Sequence, residues 1–74
     1  MVKKDMKIRE VRVVMDSGTD TYFGADARAV AAALENCSAA GVGQTYPIWL
    51  DDTMEEVTYN MAHVVKFSAF YRSE

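Results

Sequence analysis

Between Lys7 and Met15 the chain alternates. Arg9, Val11, Val13 and Met15 share one face at period two, and Ile8, Glu10, Arg12 and Val14 share the other. That period, carried by β-branched residues, predicts a strand. Asp16-Ser17-Gly18-Thr19 then forms a compact turn, because Asp and Ser bond their own backbone and Gly accepts a positive φ. Thr19 to Phe23 reads as the return strand, so residues 7–23 make a hairpin. Gly24 breaks it. Residues 25–40 are rich in alanine, the strongest helix former. Ala27, Val30, Ala31, Leu34 and Cys37 follow the i, i+3, i+4, i+7 spacing of one buried helical face. Asp26 lies in the first turn, where a negative charge suits the helix dipole, and Gly41 stands where a left-handed C-terminal cap belongs.

Past Val42-Gly43-Gln44 the alternation resumes. Tyr46 to Asp51 places Tyr46, Ile48 and Leu50 on one side and Trp49 on the other. Pro47 has no amide to donate, so the strand starts there or lies at a sheet edge. Asp51-Asp52-Thr53-Met54 is a polar turn. Glu56 to Asn60 is a strand with Val57 and Tyr59 on one face. Asn60-Met61-Ala62 is a corner, and His63 to Tyr71 is the final strand. Along it Val65, Phe67, Ala69 and Tyr71 alternate with Val64, Lys66, Ser68 and Phe70.

The order is ββαβββ with short connections, which predicts an α+β fold: an antiparallel sheet of four to five strands with one helix packed on one face. Residues 7–74 form a single domain behind a flexible segment, residues 1–6. One helix cannot cover both faces of such a sheet. Several strands carry apolar groups on both sides, so the uncovered face is expected to be partly apolar, and such patches mark interaction sites.

Composition narrows the classes. At 74 residues, with 50% hydrophobic and 26% charged residues, the chain is one ordinary globular domain. Ten alanines among the apolar residues bury little area, and a domain this small gains from association. A single cysteine rules out an internal disulfide, and one cysteine with one histidine rules out a standard structural zinc site. No metal or other cofactor is expected. No apolar run is long enough to span a bilayer and no signal peptide is visible, so no membrane partner and a cytoplasmic location are expected. Residues 1–12 carry a net charge of +3 and the rest a net of −6. An acidic body opposes general affinity for nucleic acid, which depends on neutralising phosphates.

Few motifs carry chemistry. Val13-Val14-Met15-Asp16-Ser17-Gly18-Thr19 resembles the Asp-Ser/Thr-Gly signature of aspartic proteases, whose paired carboxylates share a proton. The likeness covers about seven residues and lacks the flap and the second hydrophobic-hydrophobic-glycine segment; a hairpin turn explains the same residues. Asp16-x-Gly18-x-Asp20 offers too few oxygen ligands for a calcium loop. Asp51, Asp52, Glu55 and Glu56 form an acidic tip that suits a solvated turn or a basic partner. Cys37 sits on the buried helical face as a small hydrophobe, and His63, the only histidine, closes a corner. Strand aromatics beside a basic edge could stack single-stranded bases, although core or protein contact is their commoner use.

Glu56-Val57-Thr58-Tyr59-Asn60-Met61-Ala62-His63-Val64-Val65-Lys66-Phe67 resembles the end of small accessory proteins of bacteria, phages and mobile elements, with a strand, an Asn-x-x-His corner and a final strand. The resemblance extends in plan to the earlier elements. It implies a compact, non-catalytic binder, in some cases an inhibitor of a host restriction or CRISPR protein, acting in the bacterial cytoplasm. It transfers no functional residue.

The expectation is therefore a protein-binding module without catalysis, docking a partner or its own copy as a homodimer. Trp49, Val64, Phe70 and Tyr71 are the candidate contacts, since large aromatics dominate interfaces, with Asp51, Asp52, Glu55 and Glu56 as a second surface. The alternative is nucleic-acid binding through residues 3–12, the basic N-terminal strand, tested by changing Lys3, Lys4, Lys7 and Arg9 to Glu. A third reading is a dimeric hydrolase centred on Asp16.

Overall fold

The computed structural model describes residues 6–73. β1 (Met6–Met15) and β2 (Gly18–Phe23) form an antiparallel hairpin in which Met15 pairs with Gly18 across Asp16-Ser17. α1 (Gly24–Ala40) follows at once. β3 (Ile48–Leu50) and β4 (Glu55–Val57) make a second hairpin. A 3₁₀ turn (Met61–His63) then leads into β5 (Val64–Ser73). One helix set among antiparallel strands is the α+β class expected from the sequence. The flexible lead expected at residues 1–6 falls mostly outside the described residues, and Met6 already belongs to β1.

The single sheet of four to five strands is corrected. The strands divide into a three-stranded antiparallel sheet, β2-β1-β5, and a separate pair, β3-β4. The second hairpin spends its backbone groups on itself. Beyond the β3–β4 ladder, Thr45 N donates to Tyr59 O at 2.9 Å and Met61 N to Gly43 O at 2.9 Å, with a bridge between Gln44 and Asn60. Pro47, without an N–H, interrupts this pairing and confines β3 to three residues. The interruption also changes which residues point inward. Thr45 is buried, and Tyr46, expected beside Ile48 and Leu50, is exposed.

α1 lies over β1, β2 and β3 and barely reaches β5. Its buried face is Asp26, Ala27, Val30, Ala31, Ala33, Leu34 and Cys37, which contains every apolar position that the helical period singled out. It meets Val11 and Val13 of β1, Ile48 and Leu50 of β3, and Tyr59. Leu34, Val11, Val13 and Val30 are the largest fully buried side chains, each contributing roughly 1.5–3 kcal/mol by leaving water. The helix ends where Gly41 adopts φ 71°, with Val42 N reaching Cys37 O at 3.2 Å in a Schellman-type cap.

Two irregularities in the β1–β5 ladder set what faces the helix. Ile8 pairs with Tyr71 but Glu10 with Phe70, and Val14 pairs with Lys66 but Met15 with Val64. Arg9 and Val65 are thus extra residues, and each reverses the alternation of its strand. Ile8 and Val64 consequently pack on the core beside Met15, Phe67 and Ala69, while Val65 turns out to solvent. The expectations that Ile8 shares a face with Glu10, Arg12 and Val14, and that Val64 shares one with Lys66, Ser68 and Phe70, are corrected on this ground.

Candidate functional site

The face of the β2-β1-β5 sheet turned away from the helix is built in rows by strand register. Phe23, Glu10 and Phe70 form one row; Thr21, Arg12 and Ser68 the next; Thr19, Val14 and Lys66 the third. Glu10 lies between two aromatic neighbours and is only 8% exposed. A carboxylate so placed needs a charged partner. Arg12, two residues on and on the same face, supplies it: Arg12 Nε donates to Glu10 Oε2 at 2.6 Å. The same guanidinium lies over the Phe70 ring, 4.7 Å from its centroid, in a cation–π contact. Phe23 remains 59% exposed. Lys66 and Arg72, both exposed, flank this cluster along β5 on the same side.

The acidic tip stands elsewhere, on the β3–β4 hairpin. Trp49 faces Glu56 across the ladder and is half-exposed, and its Nε1 donates to Asp51 Oδ1 at 2.7 Å. Asp51, Asp52, Glu55 and Glu56 are all exposed. Asp26 fastens the hairpin to the helix. This carboxylate is 6% exposed and accepts the backbone amides of Asp51 at 2.9 Å and Asp52 at 3.3 Å. It therefore does two jobs, placing negative charge in the first helical turn and satisfying two turn amides. An open depression of about 150 Å³ lies here, lined in part by Phe23, Asp26, Leu50 and Asp52.

A phenol relay joins the second hairpin to β2. Tyr59 OH donates to Asp20 Oδ2 at 2.8 Å, which leaves Tyr22 OH to donate to Tyr59 OH. Burial pushes the Tyr59 phenol well above the usual tyrosine range, and its bond to Asp20 adds to the shift. Burial raises Tyr22 as well.

The candidate contacts named from sequence are thus not brought together. Phe70 belongs to the open face. Trp49 and the four acids share the second hairpin. Tyr71 pairs with Ile8, and Val64 packs on the core, so both lie on the helix side of the sheet. Sequence reasoning passed over Phe23, Glu10 and Arg12. The hairpin register could have found them, since a two-residue loop at Asp16-Ser17 already sets Phe23 opposite Glu10.

The motifs weighed for chemistry are also placed. Asp16 is exposed at the turn; its Oδ2 meets His63 Nδ1 at 2.8 Å, and its backbone N donates to His63 O at 3.2 Å. Asp16 and His63 together tie the first turn to the corner before β5. Cys37 is buried, with its thiol directed to Gln44 O at 3.5 Å. Among the described residues no three His, Cys, Asp or Glu side chains are grouped to hold a metal ion, and no helix is long and apolar enough to cross a membrane. Comparison with known proteins gives no matching family model, no matching curated protein and no matching solved structure.

Proposed function

We propose that the chain is a small protein-binding module without catalysis of its own, which docks its partner on the open face of the three-stranded sheet. The exposed Phe23 ring, standing in one row with Glu10 and the Arg12-covered Phe70, carries this reading. Aromatic and arginine side chains held rigid by packing are the types that dominate binding energy, because they lose little freedom on docking. The resemblance in plan to accessory proteins of phages and mobile elements gives the sharpest form of the proposal, inhibition or modulation of a host protein in the manner of an anti-CRISPR. Trp49 with Asp51, Asp52, Glu55 and Glu56 would serve as a second surface for a basic region of the same partner.

Phe23→Ser is the direct test. It removes the exposed ring and places a capping hydroxyl at the N-cap of α1, which now has no side-chain cap. The fold should be retained by circular dichroism. Capture of a host protein, or a solution mass above that of a monomer, should be lost in the variant. A wild-type chain that stays monomeric and captures nothing would overturn the reading.

A second reading, single-stranded nucleic acid on the same face, draws support from the charge layout: Lys66 and Arg72 lie there, whereas the acidic tip belongs to the other hairpin. It predicts steep salt dependence in a gel shift, and flat behaviour at low salt would remove it.

A further inference from the structure

We infer that the partner adds to this module as an extended acidic strand along the free edge of β5, an inference that rests on the protein-binding reading. In the order β2-β1-β5 the last strand is outermost, and its ladder with β1 uses one side only. Val64 N donates to Met61 O at the start of the strand, and among the described residues no other backbone–backbone bond outside the ladder involves residues 64–70. The helix barely reaches this edge, and the second hairpin does not pair with it. An unpaired edge is a template for another strand, and sheets normally guard it with proline, bulges or charge. Here the bulge sits at the start, at Val65, and the charges are Lys66 and Arg72. The run between them, Phe67-Ser68-Ala69-Phe70-Tyr71, has no charge and no proline.

Charge selects the occupant. Residues 64–73 hold two cations and no acid, so two copies paired edge to edge would bring four cations to one seam. Glu10 does not relieve this, because it is already engaged by Arg12. The acids of a second copy, Asp51 to Glu56, are committed to a turn and the short β4, too little extended chain to run from Lys66 to Arg72. Base stacking is disfavoured because the Arg12 guanidinium occupies a face of the Phe70 ring. What fits is a strand from another protein, held by main-chain bonds, with carboxylates six residues apart opposite Lys66 and Arg72 and an apolar residue opposite Phe70.

The test uses the full chain and a fluorescein-labelled peptide, Thr-Asp-Thr-Val-Thr-Thr-Thr-Asp-Thr, by anisotropy. The peptide should bind and slow amide exchange at alternate residues between Lys66 and Arg72. The exposed pair Lys66→Glu/Arg72→Glu should weaken binding at least tenfold with circular dichroism unchanged, and a peptide carrying Lys for both Asp should bind this variant instead. No binding of the acidic peptide, binding indifferent to the charge reversal, a preference for oligo-dT, or a dimer strengthened by the reversal would each overturn the inference. If Phe23→Ser abolishes capture of a host protein while Lys66→Glu/Arg72→Glu leaves it intact, the protein-binding reading stands and the edge-strand inference falls.

Discussion

Asp26 shows how much one side chain can decide in a domain of this size. Its carboxylate is buried at the start of the helix and accepts two amides of the β3–β4 turn. Removing it leaves those donors without their acceptor, which costs more than the bonds themselves contributed. Asp26→Ala should therefore destabilise the fold by about 2–3 kcal/mol, read as a lower urea midpoint, and Asp26→Asn by less, because one acceptor oxygen remains. The phenol relay gives a pH signature. Tyr59 and Tyr22 are both raised in the folded state, so the folded chain keeps protons that the unfolded chain releases above about pH 10. Their stabilisation is complete below that pH and is lost as pH rises toward the folded-state values. Urea midpoints should fall above about pH 10, and Tyr59→Phe should flatten the fall. None of this was legible in the sequence. Asp26 has the look of a dipole partner, and its second role depends on a turn that folds back from β3.

At the scale of the element, sequence reached furthest where the pattern is local. The helix is marked by Ala27, Val30, Ala31, Leu34 and Cys37, all five of which are buried. The hairpin is marked by its turn. Parity along β1 and β5 was not readable, because nothing in the residues announces that Arg9 and Val65 are extra, and one bulge moves a whole run of side chains to the other face. The division into two sheets turned on Pro47 and on backbone bonds from Gly43 to Met61, which no side-chain alternation encodes. Two left-handed positions can be tested as a pair. Gly41 has φ 71° with open space where a Cβ would stand, so Gly41→Ala should cost about 1 kcal/mol from backbone strain alone. Met54 holds φ 55° in the β3–β4 turn, fully out in solvent, so Met54→Gly should raise stability by up to about 1 kcal/mol. Thermal melts should move in opposite directions for the two variants.

For the molecule as a whole, charge and cover are both unevenly shared. Arg12, Lys66 and Arg72 face the open side of one sheet and four acids, Asp51, Asp52, Glu55 and Glu56, crowd the other hairpin, so a net charge of −3 describes neither surface. The helix covers β1 and β2 on one side of the large sheet and packs against β3. The open side keeps Phe23 and Phe70, in line with the expectation that one helix leaves apolar groups on the far face.

The position of β1 between β2 and β5 also orders events in time. Its first neighbour is joined by the tightest turn in the chain, and its second arrives only after the helix and the small hairpin have been traversed. Closing that long detour is entropically unfavourable until other contacts have shortened it. Docking of β5 is accordingly a late step. Exposed substitutions that weaken only the β1–β5 ladder, such as Lys66→Gly, should speed unfolding and leave refolding almost unchanged in a chevron plot, whereas a slowed refolding limb would place the strand in the nucleus.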